Sequence, residues 1–86
     1  MADEIYGRAS LRYRQGDYVQ AVELTQEMLR QPGITPQLRR NAWVVMGNSY
    51  CMLHSRPGAA RAFQELGKGD REAMAKNCSA NGISLP

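Results

Sequence analysis

Small and aromatic residues recur at helical spacing in the middle of this chain and constrain its fold more than any other feature. The set is Trp43, Met46, Gly47, Tyr50, Ala59 and Phe63. Its first four members are spaced i, i+3, i+4 and i+7, so they share one face of a helix, and the last two are i, i+4 on a following helix. Two helices approach closely only where side chains are small, so we expect Gly47 to face Ala59. The pattern predicts an antiparallel helical hairpin with aromatic residues around that contact.

At every spacing this pattern resembles the signature of the tetratricopeptide repeat (TPR), W-x2-L-G-x2-Y followed by A-x3-F. The resemblance implies a repeat of two antiparallel helices, A then B, in a protein that holds other proteins. A second, less complete copy precedes it, since Gly16–Tyr18 followed by Ala21 looks like the hinge G-D-Y-x-x-A. Aligned on Ala21 and Ala59, the copies are about 38 residues apart. That exceeds the usual period of about 34, and the breaker-rich segment 31–36 lies between them.

In the first copy, Arg8 and Arg12 stand where the second copy has large core residues. They predict that the first helix is an end helix with one face toward solvent. An alternative register, with Leu11 and Tyr13 in the core, stays open.

The predicted fold class is all-α, with about five helices in antiparallel helix-turn-helix repeats, a TPR-like α-solenoid. We expect a single domain over residues 1–86, with repeat 1 at about 2–34, repeat 2 at about 36–67 and a capping helix at about 70–81. His54 is expected at positive φ, where a glycine stands in the first copy, and Gly67–Gly69 is expected to be a loop. The predicted N-caps are Asp17, Thr35, Ser55 and Asp70.

With 86 residues and 43% hydrophobic content, the chain is near the lower limit for an independent core. Repeat proteins usually need about three stacked units. Either the last helix caps the stack, or the module pairs with itself, or the chain belongs to a longer protein.

Composition excludes some classes of protein. No long apolar run is present, so we expect no signal peptide, no transmembrane segment and a cytoplasmic location. The net charge of +3, from 11 basic and 8 acidic residues, is small for a dedicated nucleic-acid binder.

Few side chains could carry chemistry. Cys51 and His54 are i, i+3, which could make a thiol–imidazole pair or half of a zinc site, but zinc needs about four ligands. The sequence therefore predicts no enzyme, no metal and no cofactor. Cys51 and Cys78 could form a disulfide if the last helix packs on the preceding A helix, although a cytoplasmic location favours free thiols.

The resemblance also implies a binding surface, the concave face of the A helices. Its residues here are Tyr6, Ser10, Tyr13, Arg14, Asn41, Val44, Val45, Asn48 and Met52. One TPR subclass binds C-terminal carboxylates with a clamp of Lys and Asn. Only Asn48 matches a clamp position, so this clamp is not expected.

The predicted function is a protein-interaction scaffold or adaptor that binds a peptide or helix of a partner in this groove. The alternative is a self-associating structural module that forms a homodimer or oligomer through the same apolar residues, because exposed apolar patches mark partner sites. Nucleic-acid binding is disfavoured by the modest charge. A basic set could steer an acidic partner or be simply solvated; it comprises Arg8, Arg12, Arg14, Arg39 and Arg40. The chain also resembles, weakly, the TPR units of bacterial signalling proteins.

Overall fold

The computed structural model describes the whole chain, Met1–Pro86, and contains five α-helices and no strand. The helices are α1 (Ala2–Arg14), α2 (Tyr18–Leu29), α3 (Pro36–Met52), α4 (Arg56–Glu65) and α5 (Lys68–Ala80). The predicted all-α class and the number of helices are confirmed. None of the helices combines the length and the apolar character that crossing a membrane requires.

Three of the helices, α1, α3 and α5, end in the same way. Each is followed by a residue at positive φ: Gly16 at 79°, His54 at 57° and Gly82 at 80°. The backbone N–H after it then bonds back into the last turn, as from Ile83 to the Cys78 carbonyl at 2.9 Å. This is the Schellman ending, which satisfies carbonyls that the helix leaves free. The predicted left-handed conformation of His54 is confirmed.

Two of the predicted N-caps are confirmed by their hydrogen bonds. The Asp17 carboxylate accepts from the backbone N–H of Gln20 at 3.2 Å. The Thr35 hydroxyl accepts from the N–H of Leu38 at 3.1 Å. Ser55 occupies the N-cap position of α4, but its side chain makes no capping bond.

The predicted start of the last helix is wrong. The segment 67–69 is not a loop, because Gly67 is the N-cap and α5 begins at Lys68. Asp70 therefore lies inside the first turn, where the positive end of the helix dipole stabilises a carboxylate. Its two oxygens accept from Arg40 at 2.7 and 2.9 Å, which ties the start of α5 to α3.

Helix α3 is the centre of the fold. Helices α1, α2 and α3 pack on one another, and α3 also contacts α4 and α5. Helices α4 and α5 meet mainly at one end, where Arg71 donates to the carbonyls of Phe63 and Gln64. Helices α3 and α5 run parallel, because Arg40 meets Asp70 near both starts and Cys51 meets Cys78 near both ends.

The buried side chains form two clusters, one at each end of α3. The N-terminal cluster joins α1, α2 and α3 and contains Ile5, Ala9, Leu24, Met28 and Ala42. The C-terminal cluster joins α3, α4, α5 and the tail and contains Cys51, Ala59, Ala62, Leu66, Met74, Cys78 and Ile83. The clusters follow from the helical spacing of small and apolar residues, which gives each helix a buried face.

Gly47 is a point of close helix approach, but its partner differs from the predicted one. A Cβ at this position would lie 2.7 Å from Sδ of Met74 and 3.1 Å from Cβ of Ala62. Gly47 therefore lies closest to Met74 of α5 and Ala62 of α4, and not to Ala59, the predicted partner. The spacing identified the helix face, but the partner depends on the register between helices.

The N-terminal helix exposes one side to solvent, as its arginines predict. Arg8 and Arg12 are exposed. Leu11 is 45% exposed, so the alternative register with Leu11 in the core is wrong.

Cys51 and Cys78 are joined by a disulfide, with their Cα atoms 4.6 Å apart. Both residues are fully buried. The expectation of free thiols is therefore wrong. The condition set for the bond is met, since α5 packs directly on α3.

Candidate functional site

The nine residues predicted to bind a partner lie on α1 and α3, and we call the surface they share the A-helix face. On α3, Asn41, Val45, Asn48 and Met52 are spaced i, i+4, i+7 and i+11, so they form one stripe along the helix. Every one of the nine is partly buried except Arg14, which is exposed.

Two of the nine lean toward the protein interior. Tyr6 packs against the N-terminal cluster and Val44 against the C-terminal cluster. Their contribution to a binding surface is therefore an edge of each side chain. The apolar groups that the A-helix face presents are chiefly those of Val45 and Met52, which belong to neither cluster.

Tyr13 lies at the end of α1 against the first residue of α2. Its ring meets that of Tyr18 edge-on, with centroids 5.4 Å apart and an interplanar angle of 71°. Burial raises the pKa of the Tyr13 phenol, and the neighbouring Tyr18 raises it further. The Tyr13 hydroxyl therefore stays protonated at neutral pH and acts as a hydrogen-bonding group.

Helix α5 adds a row of amides to the A-helix face. Asn77 Nδ2 donates to Asn48 Oδ1 at 2.9 Å. Asn81 Nδ2 donates to the Asn77 carbonyl at 2.9 Å and lies 3.5 Å from Sδ of Met52. Nδ1 of His54 donates to the Asn81 carbonyl at 3.0 Å, closing the row at the end of α3.

This row changes what Asn48 can do. Its own Nδ2 donates to the Val44 carbonyl at 2.9 Å while its Oδ1 accepts from Asn77. The amide at the one clamp-like position is thus engaged within the protein. Sequence reasoning missed Asn77 and Asn81 as members of this face. Their i, i+4 spacing on a helix parallel to α3 is the signal that could have indicated them.

The clefts of the molecule lie elsewhere. Four are present, and none is lined by a residue of the predicted set. The A-helix face is therefore shallow. The largest cleft, about 460 Å³, lies among α2, α3 and α4. It is lined by Gln26, Leu29, Arg30, Trp43, Met46, Tyr50, Gly58 and Arg61.

Charged side chains form two ion pairs in the structure. Nε of Arg40 lies 2.7 Å from Asp70, and this bidentate hydrogen bond lowers the pKa of the Asp70 carboxyl. Nη1 of Arg61 lies 3.7 Å from Glu65. The chain contains no group of three or more His, Cys, Asp or Glu side chains placed to hold a metal ion. Because its sulfur is bonded to Cys78, Cys51 makes no thiol–imidazole pair with His54.

The sequence matches no family model, no curated protein and no solved structure.

Proposed function

We propose that this chain is a TPR-like protein-interaction module that binds a peptide or helix of a partner protein on its A-helix face. The proposal rests on the repeat-like sequence pattern together with the way the helices pack. It includes the identification of Gly16–Ala21 and Trp43–Phe63 as two copies of one repeat.

The observation that carries the proposal is the layer formed by α1, α3 and α5. Helix α3 contacts both other members, and α3 and α5 run parallel, so one continuous face spans three helices. This face presents partly buried tyrosine, valine, methionine and asparagine side chains. Interfaces are enriched in aromatic residues and methionine and depleted in charged ones, which is the composition of this surface.

The test is a charged substitution in the middle of the face. Val45→Asp places a carboxylate between α1 and α5, and we expect it to abolish binding of proteins that the parent captures. Val19→Asp is a matched control, because Val19 is 57% exposed on α2 and lies in its first turn. Capture by each immobilised variant would be compared by quantitative mass spectrometry after circular dichroism has shown equal helix content. Equal capture by the parent and Val45→Asp would refute the proposal.

Self-association is the second candidate, and one observation favours it. Although Arg71 ties α5 to the end of α4, a cleft of about 410 Å³ remains between these helices, lined by Phe63, Leu66, Gly67, Lys68, Arg71, Glu72 and Ala75. A helix from a second copy could cover this apolar surface. Light scattering over a concentration series, with and without reductant, tests the idea. A constant monomer mass would refute self-association.

The cytoplasmic location stays a prediction, and the disulfide bears on it. Disulfides persist mainly in oxidising compartments, whereas cytosolic thiols are kept reduced. Labelling free thiols in acid-quenched cells would decide the matter. Labelled Cys51 and Cys78 would agree with the cytoplasm, and unlabelled ones would indicate an oxidising compartment.

A further inference from the structure

Trp43 stands between two neighbouring clefts on a side of the molecule that the A-helix face does not include. It lines the cleft of about 460 Å³ among α2, α3 and α4. It also lines a second cleft of about 380 Å³, together with Pro36, Arg39, Arg40 and Glu65. We call the two together the Trp43 cleft. Because the indole lines both adjacent clefts, an elongated ligand that spans them would contact it.

The first part of the Trp43 cleft is positively charged. Arg30 and Arg61 line it and no carboxylate does. Arg30 makes no ion pair in the protein, and neither does Arg39 in the second part. Arg61 is 3.7 Å from Glu65 and its side chain is 63% exposed, so this pair exchanges readily with solvent. The cleft thus offers Arg30 and Arg39 without ion-pair partners, and Arg61 in a weak, exposed pair.

The floor between these cations is apolar and shaped by a glycine. Leu29, Trp43, Met46 and Tyr50 supply the apolar lining. A Cβ at Gly58 would lie 2.5 Å from the Tyr50 ring, so the ring occupies this position only because residue 58 lacks a side chain. The floor can therefore receive an apolar side chain while the rim receives an anion.

We propose that the Trp43 cleft binds an acidic peptide segment of a partner protein, with an apolar side chain seated on Trp43 and carboxylates paired with Arg30 and Arg61. This site goes beyond the proposed function, because it shares no residue with the A-helix face. Charge complementarity favours the acidic peptide, because it carries both an apolar side chain for the floor and carboxylates for Arg30, which has no ion-pair partner, and Arg61, whose pair is weak.

The same residues fit a nucleic acid less well. One face of the indole is already covered by Arg61, whose Cζ lies 5.4 Å from the ring centroid. The chain's net charge of +3 provides no extended basic track for a strand to follow.

The experiment uses the chain's single tryptophan, whose fluorescence reports directly on the cleft. The oxidised protein is titrated with an end-blocked synthetic peptide of alternating glutamate and leucine, and with its glutamine-for-glutamate counterpart. We expect the acidic peptide alone to change Trp43 emission in a saturable way, and we expect rising salt to weaken it, as surface ion pairs are screened.

Single substitutions test whether the peptide binds at the arginines of the cleft. Arg30→Gln and Arg61→Gln should each weaken binding of the acidic peptide by about two- to five-fold, the range of exposed ion pairs. Arg8→Gln removes the same charge from an exposed position on α1 and should leave binding unchanged. Val45→Asp should also leave it unchanged, so loss of the A-helix face and loss of this cleft are distinguishable.

The proposal is overturned by any of three results. These are equal binding of the acidic and glutamine peptides, equal weakening by Arg8→Gln and Arg30→Gln, or saturable quenching by an oligothymidine at lower concentration than by the acidic peptide. The last result would assign the cleft to single-stranded nucleic acid.

Discussion

Replacing Gly47 with alanine tests the central packing contact of this fold. A new Cβ would lie 2.7 Å from Sδ and 3.0 Å from Cε of Met74, and 3.1 Å from Cβ of Ala62. Met74 and Ala62 are fully buried, so neither has solvent to move into. Such overpacking costs about 1–3 kcal/mol, while alanine regains about 1 kcal/mol of helix propensity over glycine. We expect Gly47→Ala to lower the free energy of unfolding by up to about 2 kcal/mol, the difference between these two terms.

The chain offers a matched control for this substitution. Gly7 also lies inside a helix, but nothing is within 4 Å of a Cβ built there. Gly7→Ala therefore gains the propensity without the clash and should stabilise the protein by about 0.5–1 kcal/mol. Urea unfolding of the oxidised protein, followed by far-UV circular dichroism, would measure both variants. The two substitutions are expected to have opposite signs.

A second mutation identifies the clashing side chain. Met74→Ala costs about 2–5 kcal/mol because it leaves a cavity. In that background Gly47→Ala should become neutral or stabilising, since the new methyl group occupies space that the thioether left. The coupling energy should be about 1–3 kcal/mol. If Gly47→Ala instead stabilises the parent as much as Gly7→Ala does, Met74 does not cover Gly47 and the docking of α5 on α3 is refuted.

Three further predictions concern the ties around α3. Replacing both Cys51 and Cys78 with alanine should lower the free energy of unfolding by about 3.5 kcal/mol, from the entropy of the loop they close; an unchanged urea midpoint, with or without reductant, would contradict this. The pKa of Asp70 is lower in the folded protein than its ordinary value of 3.8. The carboxylate therefore stabilises the fold above pH 3.8, and this stabilisation is lost as the pH falls through the folded-state pKa. Asp70→Asn should therefore reduce the urea midpoint at neutral pH but not in strong acid. An equal reduction at both pH values would show that the lost stability does not come from the pair with Arg40. His54→Gly should be more stable than His54→Ala by about 1 kcal/mol, because both lose the imidazole but only glycine accepts positive φ without strain; equal urea midpoints would show that residue 54 is not left-handed.

The local features of the fold were predictable because their causes lie within a few residues. The caps at Asp17 and Thr35 and the left-handed residues Gly16 and His54 depend on short-range hydrogen bonds and backbone sterics. The sequence around them contains all the required groups. The predictions for these four residues are confirmed, whereas the Ser55 hydroxyl makes no capping bond and Asp70 is not the N-cap of α5.

Features that depend on register between helices were not predictable in the same way. Helical spacing places Gly47 on a buried face, but whether Ala59 or Ala62 faces it depends on a shift of one helical turn. Asp70 has the character of an N-cap, and local rules favour it there. In the structure, Asp70 instead pairs with Arg40, 30 residues away in sequence, and α5 begins at Lys68, two residues before Asp70.

The candidate sites show the same division. The stripe of Asn41, Val45 and Asn48 follows from helical periodicity, whereas the amide row with Asn77 requires knowing that α5 lies beside α3. The helical spacing predicts Trp43 among the aromatic residues packed around the contact between the two helices of the hairpin. Trp43 is partly exposed because a cleft lies on each side of it, and the local sequence pattern does not predict these clefts.

Helix α5 is held to α3 along its length but to α4 only at one end, and this difference determines which side of α5 borders an open cleft. Helix α5 is tied to α3 at its start by the Arg40–Asp70 pair, in its middle by Met74 over Gly47, and at its end by the Cys51–Cys78 disulfide. Toward α4, Arg71 of α5 donates to the backbone carbonyls of Phe63 and Gln64 at 2.8 and 3.0 Å, so this tie reaches only the last turn of α4. A small domain with little core gains most from such staples, since each constrains the unfolded chain or fills the interior. The three ties to α3 are spread along α5, whereas Arg71 joins α5 only to the C-terminal end of α4, and a cleft of about 410 Å³ remains between these two helices. Helix α5 therefore extends the A-helix face on one side and leaves, on its other side, a cleft in which Phe63, Leu66 and Ala75 lie beside Lys68, Arg71 and Glu72.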